Sequence, residues 1–139
     1  MHPAFFLRDL QKRVMTKELQ IEKTRYTPYI HLRKGNISFE GRSVLNDPYH
    51  LYQPVYEWIR EYVKEKPSPT HINLKFEYIN TSSMKWVFEI LRMFREKPEL
   101  KDKLSISWYY EEGDDDMREL GEILKSFLNS SFQLIETPE

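Results

Sequence analysis

The sequence predicts an α/β fold built on a mixed β-sheet, with elements in the order ββαβαβαβ and with helices mainly on one face. Two observations support this fold class. First, segments in which apolar and polar residues alternate are interleaved with segments whose apolar residues recur at helical spacing, a pattern typical of βαβ units. Second, the later strands keep a polar residue at every second position, whereas strands covered by helices on both faces usually read as continuous apolar runs. One face of the sheet is therefore expected to stay free of helices.

A β-hairpin begins the regular pattern. Residues 24–33 alternate around Tyr29 and His31, the sequence Lys-Gly-Asn at 34–36 has turn chemistry, and Ile37 resumes the period of two. A hairpin is antiparallel, whereas strands joined by a helical crossover are parallel. The predicted sheet is therefore mixed.

The first predicted helix lies between two sets of helix breakers. Asp47 and Pro48 open it, and Pro67 ends it. Its inward residues share one helical stripe and are Leu51, Val55, Trp58, Ile59 and Tyr62. The apolar face of the next strand consists of Ile72, Leu74, Phe76 and Tyr78.

The remaining elements repeat this scheme. A second helix is predicted over residues 84–94 and a strand over 104–110. Aspartates at 114–116 then lead a third helix, and a short strand over 132–135 completes the sheet. The helix-free face is expected to present Asn73, Lys75, Glu77, Ser105, Ser107 and Tyr109.

The domain organisation is predicted to be simple. Residues 19–139 are expected to form a single domain, since a chain of 139 residues lies in the single-domain range. Residues 1–18 are expected to be an N-terminal extension, with a short amphipathic helix because apolar residues recur every four positions between Phe6 and Val14. A native start at Met15 is the alternative expectation.

Composition excludes several function classes. The formal net charge of −1 provides no global basic field, so binding to nucleic acid through its phosphates is not expected. The charge is nevertheless uneven: residues 1–25 carry six Lys/Arg and three Asp/Glu, whereas residues 111–125 carry seven Asp/Glu and two Lys/Arg. This asymmetry could orient a partner.

The absence of cysteine excludes disulfides, cysteine-based zinc sites and a thiol nucleophile. Apolar runs are far shorter than the roughly 20 residues needed to cross a bilayer, and the N-terminus lacks the order of a signal peptide. We therefore expect a cytoplasmic protein that has no membrane partner.

Catalytic and cofactor chemistry finds little support in the sequence. The four histidines are scattered without ligand-like spacing, and no phosphate-binding or dinucleotide fingerprint occurs. The acidic run at 111–116 could hold a divalent cation, but it lacks the spacing of an EF-hand, and aspartates at a helix start favour helix initiation. An enzyme that uses this run to bind a metal is therefore one hypothesis. The prediction, however, is that the protein is not an enzyme and has no cofactor or metal.

Three consecutive hydroxyls, Thr81, Ser82 and Ser83, lie where a predicted strand ends and a helix begins. Such residues can cap a helix by accepting hydrogen bonds from its first N–H groups. The same N–H groups and the helix macrodipole also stabilise a phosphate, and Lys85 follows one turn later. A helix cap and a phosphorylation site both fit this cluster, whose immediate neighbour is Asn80.

Several ordered motifs point to a known family. They are Ile21-Glu22-Lys23-Thr24 with Thr27-Pro28, Gly41-Arg42-Ser43, Phe76-Glu77-Tyr78-Ile79-Asn80-Thr81-Ser82-Ser83, Trp108-Tyr109-Tyr110-Glu111 and Asp114-Asp115-Asp116-Met117. From about Leu19 to Ile135 the chain resembles the SiaC family of bacterial regulatory phosphoproteins, whose fold is similar to the STAS domains of anti-sigma factor antagonists. The extension before Leu19 departs from the family pattern.

The resemblance implies a non-enzymatic switch in cyclic-di-GMP signalling and surface-attached growth. It implies phosphorylation at Thr81 by a cognate kinase, reversal by a phosphatase, and binding of the unphosphorylated protein to a downstream signalling protein such as a diguanylate cyclase. Asn80, Ser82, Ser83 and Lys85 would surround the acceptor, and Ser82 is the rival acceptor. The alternative is a constitutive protein-interaction scaffold in which the hydroxyls only cap the helix.

Overall fold

The computed structural model describes residues 17–65, 67 and 69–139. The strands are β1 Leu19–Ile21, β2 Tyr29–Arg33, β3 Asn36–Ser43, β4 Thr70–Ile79, β5 Leu104–Glu111 and β6 Ser131–Thr137. The helices are α1 Tyr49–Lys64, α2 Thr81–Arg95 and α3 Asp115–Phe127, with a 3₁₀ helix at Pro98–Lys103. The strands lie in chain order in one sheet, antiparallel from β1 to β3 and parallel from β3 to β6. The predicted α/β class and mixed sheet are confirmed.

The helices cover one face of this sheet, as predicted. Three crossovers carry the chain from β3 to β4, β5 and β6, each one strand further in the same direction. Crossovers of one hand that advance in one direction place their helices on the same face. The core accordingly consists of alternate strand residues and the inward helix residues, among them Ile30, Leu32, Phe39, Val55, Ile59, Ile72, Leu74, Leu91, Ile106, Trp108 and Leu124.

The helix-free face is polar and is hydrogen-bonded across its strands. His71 Nδ1 lies 2.7 Å from Ser105 Oγ, and His71 Nε2 lies 3.1 Å from Asn73 Oδ1. Asn73 Nδ2 donates to Asn36 Oδ1 at 3.2 Å. Together these contacts join β3, β4 and β5, and they satisfy polar groups that the sheet half-buries.

Two short elements were missing from the sequence prediction, which began with only two strands. β1 pairs with β2 from Leu19↔Leu32 to Ile21↔Ile30, so the observed order is βββαβαβαβ. A three-residue strand carries too few alternations to be recognised by its period. The 3₁₀ helix is also too short for a helical stripe, although Pro98 at its first position is a typical start.

A β-bulge in β4 overturns one predicted core residue. The β3–β4 register passes from Gly41↔Phe76 to Arg42↔Tyr78, which leaves one residue of β4 unmatched. The bulge turns Tyr78 outward, where it is 49% exposed, and brings Ile79 into the core at 7% exposure. The prediction that Tyr78 lies on the apolar face is therefore wrong. Arg42 Cζ instead lies 5.9 Å from the centre of the Tyr78 ring.

Most of the predicted N-terminal extension and its helix falls on residues 1–16, outside the described residues. At the start of the described chain, the Lys17 carbonyl accepts a hydrogen bond of 2.7 Å from Trp58 Nε1. Glu18 contacts His31 on β2. No helix among the described residues has the length and apolarity needed to span a membrane.

Candidate functional site

The junction between β4 and α2 is organised by Asn80. Its backbone is extended, with φ −83° and ψ 170°, and its side-chain oxygen accepts a hydrogen bond of 3.1 Å from the Ser83 N–H. Its amide nitrogen donates to the Leu45 carbonyl at 2.9 Å, and its backbone N–H donates to the Ser43 carbonyl at 2.9 Å. Asn80 therefore caps α2 and joins it to the segment that follows β3.

The three hydroxyls after Asn80 have three different environments. Ser82 Oγ donates to the Leu45 carbonyl at 2.6 Å. Ser83 is fully buried, and its Oγ has no hydrogen-bond partner among the described residues. Thr81 is exposed at the first position of α2, and in the described part of the chain its hydroxyl makes no hydrogen bond. Of the three, Thr81 is the hydroxyl that a modifying enzyme could reach without breaking the junction.

The expectation that the hydroxyls themselves cap α2 is wrong. The cap is Asn80, because Thr81 is already in the helix, Ser82 bonds to Leu45, and Ser83 is turned into the core. Four successive residues here are of types found at helix starts, so composition could not choose between them. The alternative of a constitutive scaffold assumed that these hydroxyls serve only to cap the helix. That assumption is wrong, since no hydroxyl of the cluster supplies the side-chain cap.

An apolar groove of about 340 Å³ runs from Thr81 along the outer side of α2. Its other lining residues are Met84, Lys85, Phe88 and Glu89. Met84 and Phe88 are half-buried and pack against the core, and the Phe88 ring centre lies 4.2 Å from that of Phe127 on α3. Half-exposed apolar side chains in a groove beside a helix are suited to contact another protein's apolar side chain.

The electrostatics at the start of α2 favour an added negative charge. The first turn contains no acidic residue, so the positive end of the helix has no built-in counter-charge. Lys85 is exposed in the groove, one turn beyond Thr81, and no ion pair engages it among the described residues. Glu89, the acidic member of the groove, lies 3.4 Å from Arg92.

A hydrogen-bonded pair of buried hydroxyls links the end of β3 to α1 near this junction. Ser43 Oγ and Tyr52 Oη lie 2.7 Å apart, and both residues are fully buried. Burial raises the pKa of Tyr52 to about 12, although its hydrogen bond with Ser43 acts in the opposite direction. The Tyr52 ring also stacks on Trp86 of α2, with ring centres 6.3 Å apart. In the sequence, the one signal of this pair is a serine at an otherwise apolar strand position, which does not by itself predict the hydrogen bond.

The acidic run initiates α3, as predicted. Asp114 is the N-cap, and its carboxylate accepts a hydrogen bond of 3.2 Å from the Met117 N–H. Asp115 and Asp116 occupy the first turn, where the macrodipole favours negative charge. Within the described residues, no group of three or more His, Cys, Asp or Glu side chains is placed to hold a metal ion.

The chain matches a class of regulatory phosphoproteins. Residues 21–137 match the family model described as SiaC family regulatory phosphoprotein. Since this match covers most of the chain, the chain belongs to the SiaC family. The resemblance found in its motifs is thereby confirmed.

Solved structures of Pseudomonas aeruginosa proteins share the fold. SiaC in a crystal structure described as diguanylate cyclase SiaD in complex with its activator SiaC is 26% identical, with a TM-score of 0.77, over 86% of this chain and 99% of that chain. Apo-SiaC is also 26% identical, with a TM-score of 0.77, over 86% and 98% of the two chains.

A sequence relative from the same species is also similar. This uncharacterized protein of Pseudomonas aeruginosa strain UCBPP-PA14 is 29% identical over 107 residues, which are 76% of this chain and 85% of the relative.

Proposed function

We propose that this chain is a cytoplasmic phospho-switch that binds and activates a diguanylate cyclase, and that phosphorylation of Thr81 releases the cyclase. A cognate kinase adds the phosphate, and a phosphatase removes it. The chain itself acts by binding and catalyses no reaction. A cytoplasmic location supplies ATP to the kinase.

One observation carries this proposal: Thr81 is the exposed hydroxyl of its cluster, and it lies at the mouth of the apolar groove along α2. Its neighbours Ser82 and Ser83 are held by a hydrogen bond and by burial. A phosphate on Thr81 would therefore project beside the groove while the cap at Asn80 stays intact. Asn80, Ser82, Ser83 and Lys85 accordingly shape the acceptor site without accepting the phosphate.

Simple energetics explain why such a phosphate changes binding more than folding. The group adds roughly −1.5 to −2 charges at pH 7, and an anion at an exposed helix N-terminus typically stabilises by about 0.3–1 kcal/mol. Burying that charge unpaired under a partner costs several kcal/mol, and each 1.4 kcal/mol is about tenfold in affinity. The fold therefore tolerates the phosphate, whereas a partner whose apolar surface would bury it can no longer bind tightly.

The likeness to SiaC bound to SiaD supports a cyclase as the partner. That relative is described as an activator of the cyclase, and this chain covers 99% of its length. The apolar groove and the start of α2 form a continuous surface that a helical segment of a cyclase could occupy.

The acceptor is tested by incubating the chain with its cognate kinase and ATP, followed by mass spectrometry of the peptide that contains residues 80–86. Thr81→Ala is expected to abolish incorporation, because it removes the exposed hydroxyl. Ser82→Ala is the matched control and should retain most of the incorporation. Normal phosphate levels on Thr81→Ala would refute the site, and loss only in Ser82→Ala would assign the phosphate to the rival hydroxyl.

A further inference from the structure

The two edges of the sheet differ in how well they are protected against pairing with another strand. β1, at one edge, is three residues long. β6, at the other edge, has seven residues in unbroken register with β5, from Ser105↔Ser131 to Glu111↔Thr137. β6 contains no proline or lysine and one charged residue, Glu136, so it lacks the features that usually protect an edge strand.

The direction of the backbone groups of β6 follows from one hydrogen bond. The Glu112 N–H donates to the Thr137 carbonyl at 2.8 Å, so Thr137 directs its backbone groups toward β5. In a strand this direction alternates from residue to residue, so Phe132, Leu134 and Glu136 direct their N–H and C=O groups away from the sheet. Among the described residues, no other element bonds to these outward groups.

Glutamates lie at the carboxyl end of this edge, whereas lysines, together with one aspartate, lie near its amino end. Exposed Glu111 and Glu136 lie at the carboxyl end, and Glu111 lines the same depression as Thr137. Exposed Lys103 lies at the amino end, where it lines a depression with Asp102 and Ser131. Lys101 and Lys125 lie in the last turns of the 3₁₀ helix and of α3, which precede β5 and β6. None of these three lysines has an ion-pair partner within the described residues.

We propose that β6 is a self-association edge, at which two copies of this chain pair their β6 strands antiparallel around a twofold axis at Leu134. This register places Leu134 opposite Leu134 and Phe132 opposite Glu136, so every outward N–H and C=O group finds a partner. It also places the acidic end of each copy against the lysine end of the other. A parallel arrangement would juxtapose like charges, and a second copy supplies the complementary charges that an arbitrary extended peptide lacks.

This inference is independent of the proposed switch. β6 lies beyond β5, whereas Thr81 follows β4 on the covered face, so pairing at β6 leaves the groove along α2 open. Each dimer would present two switch sites to its partner.

Sedimentation velocity of the full chain, over about a hundredfold range of concentration at low and high salt, tests the proposal. The mass is expected to rise from one chain toward two as concentration rises, and less so at high salt. Glu136→Pro removes an outward N–H while leaving the bonds to β5, so it should remain monomeric. Glu136→Gln keeps that N–H and removes only the charge, so this matched control should still dimerise, at a higher concentration than the parent. A monomer at every concentration, or a dimer undiminished by Glu136→Pro, would overturn the proposal.

A second measurement applies even if Glu136→Pro fails to fold. The chain has no cysteine, so Gln133→Cys and Ile135→Cys can be prepared as separate proteins with no background thiol. In the proposed register residue 133 faces residue 135 of the other copy, within reach of a disulfide. Oxidation of the mixture should yield mainly the mixed disulfide. Equal yields of all three disulfide pairs, or no disulfide, would contradict this register.

Discussion

The neighbouring hydroxyls of Ser82 and Ser83 lie in opposite environments. Its hydroxyl is buried without a partner among the described residues, whereas the hydroxyl of Ser82 is bonded to the Leu45 carbonyl. A buried polar group that makes no hydrogen bond costs free energy, and alanine is a better helix former than serine.

We therefore expect Ser83→Ala to raise the free energy of unfolding by about 1 kcal/mol, and Ser82→Ala to lower it by about 1 kcal/mol. Urea denaturation of the two variants beside the parent measures both effects. If Ser83→Ala were as destabilising as Ser82→Ala, the buried hydroxyl would have to be hydrogen-bonded after all.

Tyr52 gives the junction a dependence on alkaline pH. Burial raises the pKa of Tyr52 in the folded chain from its ordinary value of 10.0 to about 12. Between these values the unfolded chain loses the proton and the folded chain keeps it, so the unfolded state binds fewer protons and stability falls as pH rises. The contribution is fully present below pH 10.0 and is lost as pH rises to about 12.

The free energy of unfolding is expected to fall over that window by about 2–3 kcal/mol more in the parent than in Tyr52→Phe, because phenylalanine has no proton to lose. At neutral pH the variant should be less stable by about 1 kcal/mol, since Ser43 loses its partner. Ser43→Ala breaks the same hydrogen bond but keeps the phenol, so it should retain the alkaline loss. Identical pH profiles for Tyr52→Phe and the parent would exclude this role.

At the residue scale, the sequence located the junction between β4 and α2 correctly, but not the residue that caps the helix. Thr81 as the phosphate acceptor stays a prediction. The motifs led to the end of β4 and to Thr81 as the candidate acceptor, but they could not show which of four capping-type residues capped the helix. That choice depends on the Leu45 carbonyl, which is more than thirty residues earlier and receives bonds from both Asn80 and Ser82. Long-range backbone contacts of this kind leave no local pattern.

At the scale of elements, α3 depends on a glycine that the sequence argument did not single out. Gly121 is buried in the helix, and a Cβ placed there would lie 2.7 Å from Trp108 Nε1 and 2.9 Å from Leu134 Cδ2. Trp108 is itself held by a hydrogen bond of 2.9 Å from its Nε1 to the Met117 carbonyl. The helix therefore sits close to β5 and β6 only because this position lacks a side chain.

Gly121→Ala is expected to lower the free energy of unfolding by about 1–3 kcal/mol, because overpacking outweighs the gain of about 1 kcal/mol in helix propensity. Thermal denaturation monitored by tryptophan fluorescence measures the change. Ser126→Ala, at an exposed position of the same helix, is the control and should stay within about 0.5 kcal/mol of the parent. Stabilisation by Gly121→Ala would contradict close packing of α3 against Trp108.

The elements that were predicted correctly are those with several repeats of their period. α1 and α2 carry complete apolar stripes, and the parallel strands β4 and β5 alternate over most of their length. β1 and the 3₁₀ helix are too short to show a period. The bulge before Tyr78 breaks the period near the end of β4. Simple alternation therefore placed the Tyr78 side chain on the wrong face.

At the scale of the whole molecule, the sheet has one face covered by helices and one face free of them, because all three crossovers advance in the same direction. The helices and the groove beside Thr81 lie on one face, and the hydrogen-bonded polar network lies on the other. Polar alternation in the strands was enough to predict this division. It confines the proposed switch to the covered side, where α2 begins at the exposed Thr81.

In the proposed switch, phosphate on Thr81 controls docking to a diguanylate cyclase. The most direct measurement compares the unphosphorylated chain with the chain fully phosphorylated at Thr81. For each form it determines the affinity for the cyclase and the rate at which the cyclase makes cyclic-di-GMP in its presence. Phosphorylation is expected to weaken binding at least about a hundredfold and to abolish activation, whereas Thr81→Ala should bind nearly as tightly as the parent. Equal affinity and equal activation by the two forms would contradict the proposed switch.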